Sequence, residues 1–409
     1  MTFEIEERKT AVHELVLGMY VCRLDRPWEG TPFGLQGFVL HSAEQIKTLE
    51  GLCKYVYIDV LRSVEVRAPR PPPAPAPRPT IWPARRVLYA DSVSLAEEVP
   101  QARMAQENAE QLAGKILDDV RAGRKLAAQD VREAVQPIVK SVLRCADAFF
   151  WINSLRKKDA YAWSHAINCS ALAAAFGRHM GFPEDALIDL ASGGLLLDVG
   201  KAELPDDLLA HPGALSEEQM REVRLHVQHS LRILGETGIH SERVHQMVRT
   251  HHERYDGSGY PDRLSDSQIP LFGRMAAVID SFDAMTSDRI HSKALSRHEV
   301  LQQLYRWSDK MYQREIVEQL TQCLGVYPTG SLVELNTGEV AIVMAQNRAR
   351  SLRPRITVLT GPDKQVDPNF RTLDLMLQAE GSDASHAIYI VRTLEPGAYG
   401  LDPSELYLQ

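Results

Sequence analysis

The sequence predicts a multidomain chain: an all-α core domain preceded by a small N-terminal α/β module and followed by a small C-terminal β module. Three observations carry this. A proline- and arginine-rich stretch interrupts the chain early, a long run of helix-forming segments follows it, and the tail returns to short β-branched runs separated by turn residues. The expected boundaries are 1–66 for the N-terminal module, 67–92 for the linker, 93–327 for the helical domain and 328–409 for the β domain.

In the first module, "GMYVCRLD", "GFVLHS" and "KYVYIDV" read as strands, with a helix over "SAEQIKTLEGL" between the last two. Residues 67–86, "RAPRPPPAPAPRPTIWPARR", hold eight prolines and five arginines and no acid. Missing N–H groups and fixed φ angles make such a stretch a stiff, extended spacer. In the helical region one helix start is marked by Ser216 and Gln219 in a capping-box pattern, with Leu215 and Met220 placed for a hydrophobic staple. Met220, Val223, Val227, Leu231 and Leu234 would form the buried stripe of that helix. At about 3.6 residues per turn, His226 then lies roughly 100° from the stripe, facing a cleft, and His229 faces water. In the tail, "SLVELNTGEVAIVMAQ", "RPRITVLTG" and "HAIYIVRTL" predict a small barrel or sheet.

Composition excludes several functions. With 409 residues and 44% hydrophobic content the chain builds ordinary globular cores. No apolar run approaches the roughly 18 residues of a membrane span, and "MTFEIEERKT" lacks the parts of a secretion signal, so the expected location is cytoplasmic, without a membrane partner. A net charge of −8 argues against DNA or RNA as partners, because phosphate backbones demand clustered cations. The five cysteines form no CxxC pair and read as reduced packing residues.

Nine of the fourteen histidines fall between residues 165 and 252, inside the helical region. His179, His211, His240 and His245 read as solvated or locally satisfied. Asp198 in "GGLLLDVGK" and Asp280 in "MAAVIDSFDAM" sit in apolar helical runs, where a carboxylate is costly without a positive partner. Spacing alone leaves that partner open between a metal ion and Lys201.

The ordered series "SHAIN" (His165), "LDVGK" (Asp198, Lys201), "LHVQH" (His226), "HHERYDGSGYP" (His251, His252) and "AVIDSFDAMTSDR" (Asp280) resembles the HD-GYP family of metal-dependent phosphodiesterases within the HD superfamily. These act on the bacterial messenger cyclic di-GMP. Residues 5–66 are similar to a domain of unknown function found ahead of HD-GYP domains, and the tail from "YPTGSLVELNTGEVAIV" to the family's usual extension. The resemblance implies a helical cage holding two divalent metal ions, iron or manganese with zinc as a further candidate. One ion would take His165, Asp198 and Asp280; the other would take Asp198, His226, His251 and His252. Two such ions about 3.5–4 Å apart activate water and neutralise charge during attack on phosphorus. Asp198 and Lys201 are then the expected catalytic residues, and Lys201 and Arg289 the expected phosphate clamps. Gly257 and Gly259 would permit positive φ in the motif loop, Pro261 would stiffen its exit, and Tyr260 would border the nucleotide pocket. Glu253 and Asp256 read as orienters of the histidines.

One departure stands out: the family carries His immediately before the bridging Asp, and here that residue is Leu197, which leaves the first ion three protein ligands. Tyr161 stands where family members with a third metal carry Glu, so two ions are implied rather than three. Two functions follow. The first is hydrolysis of cyclic di-GMP to the linear dinucleotide or onward to GMP. The second is a non-hydrolytic receptor that binds the nucleotide or a protein such as a GGDEF-type cyclase. The retained ligands favour the enzyme over the receptor and over a generic HD-superfamily nucleotide phosphohydrolase. A homodimer is compatible with either.

Overall fold

The computed structural model describes residues 7–28, 31–33, 37–60, 63, 81–155, 161–211, 213–287, 293–348, 350–381 and 387–402. The chain divides into two compact units, Met1–Arg78 and Pro79–Gln409.

In the first unit, β1 (Glu7–Ala11), β2 (Tyr20–Leu24), β3 (Phe38–Val39), α1 (Ala43–Leu52) and β4 (Tyr55–Asp59) form an antiparallel sheet of order β1-β4-β2-β3 with one helix. Ser42 caps α1 by accepting from the Gln45 amide, and Leu49 of α1 packs with Met19, Val21, Leu40, Val56 and Ile58. The three expected strands and the helix are present. Strand β1, "ERKTA", was not legible, because an edge strand with a charged exposed row has no apolar alternation.

The second unit opens with α2 (Leu95–Arg121), α3 (Ala128–Arg144), α4 (Ala148–Ser154), α5 (Tyr161–Met180), α6 (Glu184–Leu196) and α7 (Asp206–Leu209). It continues with α8 (Glu217–Arg224), α9 (His226–Glu236), α10 (Glu242–Thr250), α11 (Leu271–Thr286), α12 (Arg297–Arg306) and α13 (Arg314–Leu324). The polyproline part of the linker, residues 67–80, lies outside the described residues. The part from Ile81 onward packs on the helices rather than spanning free. Ile81 is buried in their core, the Val87 amide donates to Gly181 O at 2.8 Å, and the Tyr89 hydroxyl donates to Phe182 O at 2.9 Å.

The capping box of Ser216 and Gln219 is present at the start of α8. The single helix expected over the stripe from Met220 to Leu234 is instead two, broken at Leu225. Val227 and Leu234 are buried as expected, but Met220 is 37% exposed. Val223 O, in the last turn of α8, accepts the Nδ1 proton of His226 at 2.6 Å, and His226 is fully buried.

The tail forms β5 (Leu332–Leu335), β6 (Val340–Ala345), β7 (Arg355–Thr360), β8 (Val366–Asp374), α14 (Leu375–Gly381) and β9 (Ile390–Thr393). Its antiparallel order is β8-β7-β6-β5-β9. Strand β8 was missed, since "VDPNFRTLD" carries Asp, Pro and Asn. Period-two alternation gives the sheet two apolar faces. Leu332, Val340 and Ile342 share a core with Ala102, Ala148 and Trp151 of the helices, while Val333, Ala341 and Val343 pack with Tyr327 and Leu375. The sheet is thus welded to α2 and α4, and Asp147 reinforces the seam by accepting from Thr329 Oγ1 and the Gln346 amide, both at 3.0 Å. Among the described residues no helix is long and apolar enough to cross a membrane.

Candidate metal centre

Five elements bring the site residues together. His165 lies on α5, Asp198 follows the last turn of α6, His226 begins α9, His251 and His252 end α10, and Asp280 lies on α11. Asp198 is not inside a helix as expected: it sits between α6 and a 3-10 turn over Val199–Glu203, with φ −107° and ψ 11°. That turn runs against α9. A Cβ on Gly200 would stand 2.2 Å from His226 O, so only glycine fits there, and its amide donates to Ser230 Oγ at 2.8 Å.

Two clusters result, each with its ligand atoms within 4.8 Å of one another: Asp198 with His226, His251 and His252, and His165 with Asp280 and Cys169. Asp198 stands between them. Its Oδ1 is 3.3 Å from His226 Nε2 and 3.8 Å from His251 Nε2, and its Oδ2 is 3.6 Å from His165 Nε2. His165 Nε2 is also 3.1 Å from Asp280 Oδ1.

The imidazoles are held from behind. His226 Nδ1 lies 2.6 Å from Val223 O and His251 Nδ1 lies 2.8 Å from Val248 O. A carbonyl can only accept, so each Nδ1 carries the proton and each Nε2 lone pair points inward. His165 Nδ1 makes the same kind of bond to Asp283 Oδ2 at 2.8 Å, and Asn168 Nδ2 donates to the other Asp283 oxygen at 2.8 Å. Buried His226 Nε2, His251 Nε2 and Asp198 Oδ1 have no hydrogen-bond partner among the described residues. Acceptors left bare in a buried cluster are what a cation satisfies.

The electrostatics agree. Burial, with a smaller contribution from Lys201 and His251, pushes His226 down to about 4 against the pull of Asp198. Burial and His251 hold His252 well below the usual histidine range. Both imidazoles are therefore neutral at neutral pH. Burial pushes Asp198 up, but Lys201 and the surrounding histidines overcome it and hold the carboxylate well below its ordinary value. His165 is the exception: burial pushes it down, yet Cys169, Asp280 and Asp283 outweigh that and raise it well above the usual value.

The motif loop departs from expectation in its details. Gly257 has φ +79°, as expected. Gly259 does not take positive φ; it is glycine because a Cβ there would meet the Arg254 amide nitrogen at 2.4 Å and Glu253 Cα at 2.5 Å. Glu253 does not orient the histidines either. It is buried and accepts from the Asp262 and Leu264 amides at 2.7 and 3.0 Å, pinning the far side of the loop, and Asp256 accepts from the Ser258 amide at 2.9 Å. Tyr260 stacks on His252 with ring centroids 4.6 Å apart and planes at 25°, and Pro261 follows it directly. Arg224 adds a guanidinium 4.9 Å from the Tyr260 ring. Lys201 places its ammonium 2.6 Å from Asp198 Oδ2. Arg289 and the side chain of Tyr161 lie outside the described residues.

Sequence reasoning missed Asp283, Asn168, Cys169 and Arg224. Asp283 had a signal: it stands three residues after Asp280 in an apolar helix, on the same face. His229 is half-buried rather than water-facing, with Nδ1 3.2 Å from Glu203.

The helical bundle and its paired His and Asp clusters define an HD-domain protein, and a profile described as HD domain matches residues 149–316. A second, described as Domain of unknown function (DUF3391), matches residues 7–131. The chain is 31% identical to the cyclic di-GMP phosphodiesterase PA4108 of Pseudomonas aeruginosa over 90% of its own length and 89% of that protein. A cyclic di-GMP phosphodiesterase of Thermotoga maritima is 33% identical over 39% of this chain and 44% of its own length. The 3'3'-cGAMP-specific phosphodiesterase 2 of Vibrio cholerae is 30% identical over 47% of this chain and 35% of its own length. The chain belongs to the HD-GYP family of phosphodiesterases.

Proposed function

We propose that this protein hydrolyses cyclic di-GMP to the linear dinucleotide, with two divalent metal ions held by the paired clusters. The observation that carries the proposal is Asp198, which turns one oxygen toward His226 and His251 and the other toward His165. His165, Asp198 and Asp280 would hold one ion; Asp198, His226, His251 and His252 would hold the other. Iron or manganese suits this mixture of imidazole and carboxylate, and zinc is a further candidate. When bound, the ions supply Lewis-acid activation of water and neutralise charge on the phosphate.

The chain's own residues supply the rest. The Nδ1 bonds to Val223 O, Val248 O and Asp283 keep the inward ring nitrogens fixed before substrate arrives. Tyr260, stacked on His252, offers an aromatic edge to a guanine base, with Gly257, Gly259 and Pro261 shaping the loop that presents it. Lys201 is half exposed beside Asp198, within reach of a phosphate oxygen, and Arg289 is proposed as its partner. The linear dinucleotide is the proposed product, with further cleavage to GMP as the second step.

Leu197 and the Lys201–Asp198 ion pair support a second reading, a receptor that binds the nucleotide, or a GGDEF-type cyclase, without cleaving it. In that case Lys201 replaces part of the missing cationic charge. Metal analysis of the wild type, His251→Ala and His252→Ala, together with turnover of cyclic di-GMP and of 3'3'-cGAMP, separates the readings. The hydrolytic reading expects each variant to lose one ion per chain and its activity. Unchanged metal content in both variants would refute the ligand assignment.

A further inference from the structure

Leu197 leaves the first cluster one ligand short, and a residue of this chain lies where it can make up the number. We infer that Cys169 is a protein ligand of the ion held by His165, Asp198 and Asp280, so that this site is sulfur-containing. The inference rests on the two-metal reading above and adds a ligand and a metal preference to it.

Cys169 follows His165 by one turn of α5, so the two side chains share a helix face. Its side chain is fully buried, and Sγ is 3.8 Å from each ring nitrogen of His165. Sγ also shares a 4.8 Å cluster with Asp280. Ligands at about 2.1 Å (nitrogen) and about 2.3 Å (sulfur) from one tetrahedral ion lie roughly 3.6 Å apart. The Sγ–Nε2 separation is within a few tenths of an ångström of that value. His165 is braced from outside by Asp283, and its Nε2 lies 3.1 Å from Asp280 Oδ1, the carboxylate of the same cluster. Among the described residues no other cysteine joins a cluster of this kind: the remaining group, around His226, contains none.

Binding replaces the S–H bond with a sulfur–metal bond and releases the proton to solvent, so the ion gains an anionic ligand where the family's imidazole is neutral. A thiolate is soft. It favours iron, zinc or cobalt over manganese at this site, while the all-imidazole and carboxylate site beside it keeps its tolerance of manganese.

Cobalt(II) reports thiolate ligation directly. The full-length protein, stripped of metal and kept reduced without oxygen, is titrated with cobalt(II) while near-ultraviolet absorption and bound metal are followed. The expected result is two bound ions per chain, one of which brings in a thiolate-to-cobalt charge-transfer band. Cys169→Val, which replaces the thiol with an apolar side chain about one methyl group larger, should remove the band and weaken that ion's binding by roughly 10- to 100-fold or more, leaving the second ion in place. Cys53→Ala, in the N-terminal unit, should retain the band. Two ions bound by the wild type without the band overturns the inference and leaves the two-metal reading standing, and needs no variant to fold. A band that persists in Cys169→Val overturns it equally. No cobalt bound by the wild type overturns both.

Discussion

Leu197 is 2% exposed and packs in the helical core at the end of α6, beside the aspartate that joins the two clusters. Replacing it tests whether the metal site or the core decides this position. Leu197→His should raise metal affinity at the first site and increase turnover of cyclic di-GMP. If the surrounding core has closed over the position, a buried imidazole without a partner instead costs about 1–3 kcal/mol and restores nothing. Metal stoichiometry, turnover and melting temperature distinguish the two. At this scale much of the candidate site was legible: His165, His226, His251, His252, Asp198 and Asp280 all lie in the two clusters, because histidines crowded into apolar helices and acids in apolar runs need a shared reason. Cys169 stands one turn after His165, but its nearness to Asp280 was not legible, since a buried cysteine in "INCSALAAA" reads as packing until α11 is known to face α5. Asp283 depended on the same helix pairing.

The motif loop shows what an element adds to its residues. Glu253 ties two amides across the loop, and Tyr260 can meet His252 only if that side of the loop is held. Glu253→Gln sets an amide group against one of the two N–H donors and should lower stability by about 1–3 kcal/mol, read as a shift in denaturation midpoint, while metal content stays near wild type. Loss of metal with unchanged stability would instead return Glu253 to the role of histidine orienter. The sequence pattern located this loop but not its internal bonds, because Gly259 is required by contact with Glu253 and Arg254, a crowding that no local rule reveals. The helix break at Leu225 was hidden for a related reason: its apolar spacing continues through the break, where His226 donates to Val223 O.

At the scale of the molecule, the linker ends earlier than composition suggests. Arg178, whose side chain is 1% exposed, pairs with Asp91 at 2.7 Å, and Ile81 and Tyr89 pack on the same helices. Removal of residues 1–78 should therefore leave a folded protein with the metal content of the full-length chain. Removal of residues 1–92 should lower the melting temperature, with about 1.5–3 kcal/mol lost from Ile81 alone. Equal melting temperatures for the two truncations would show that the segment from Ile81 contributes nothing. Composition could mark where proline begins, but not where the chain finds apolar surface to rest on.

Hydrolysis itself is the most direct test. Full-length protein stripped of metal is mixed with cyclic di-GMP, and the linear dinucleotide is measured as iron or manganese is added, with His251→Ala in parallel. The expected result is product that rises with metal and is absent in the variant. Wild-type protein that binds cyclic di-GMP at saturating metal yet releases no linear dinucleotide would contradict the enzymatic reading.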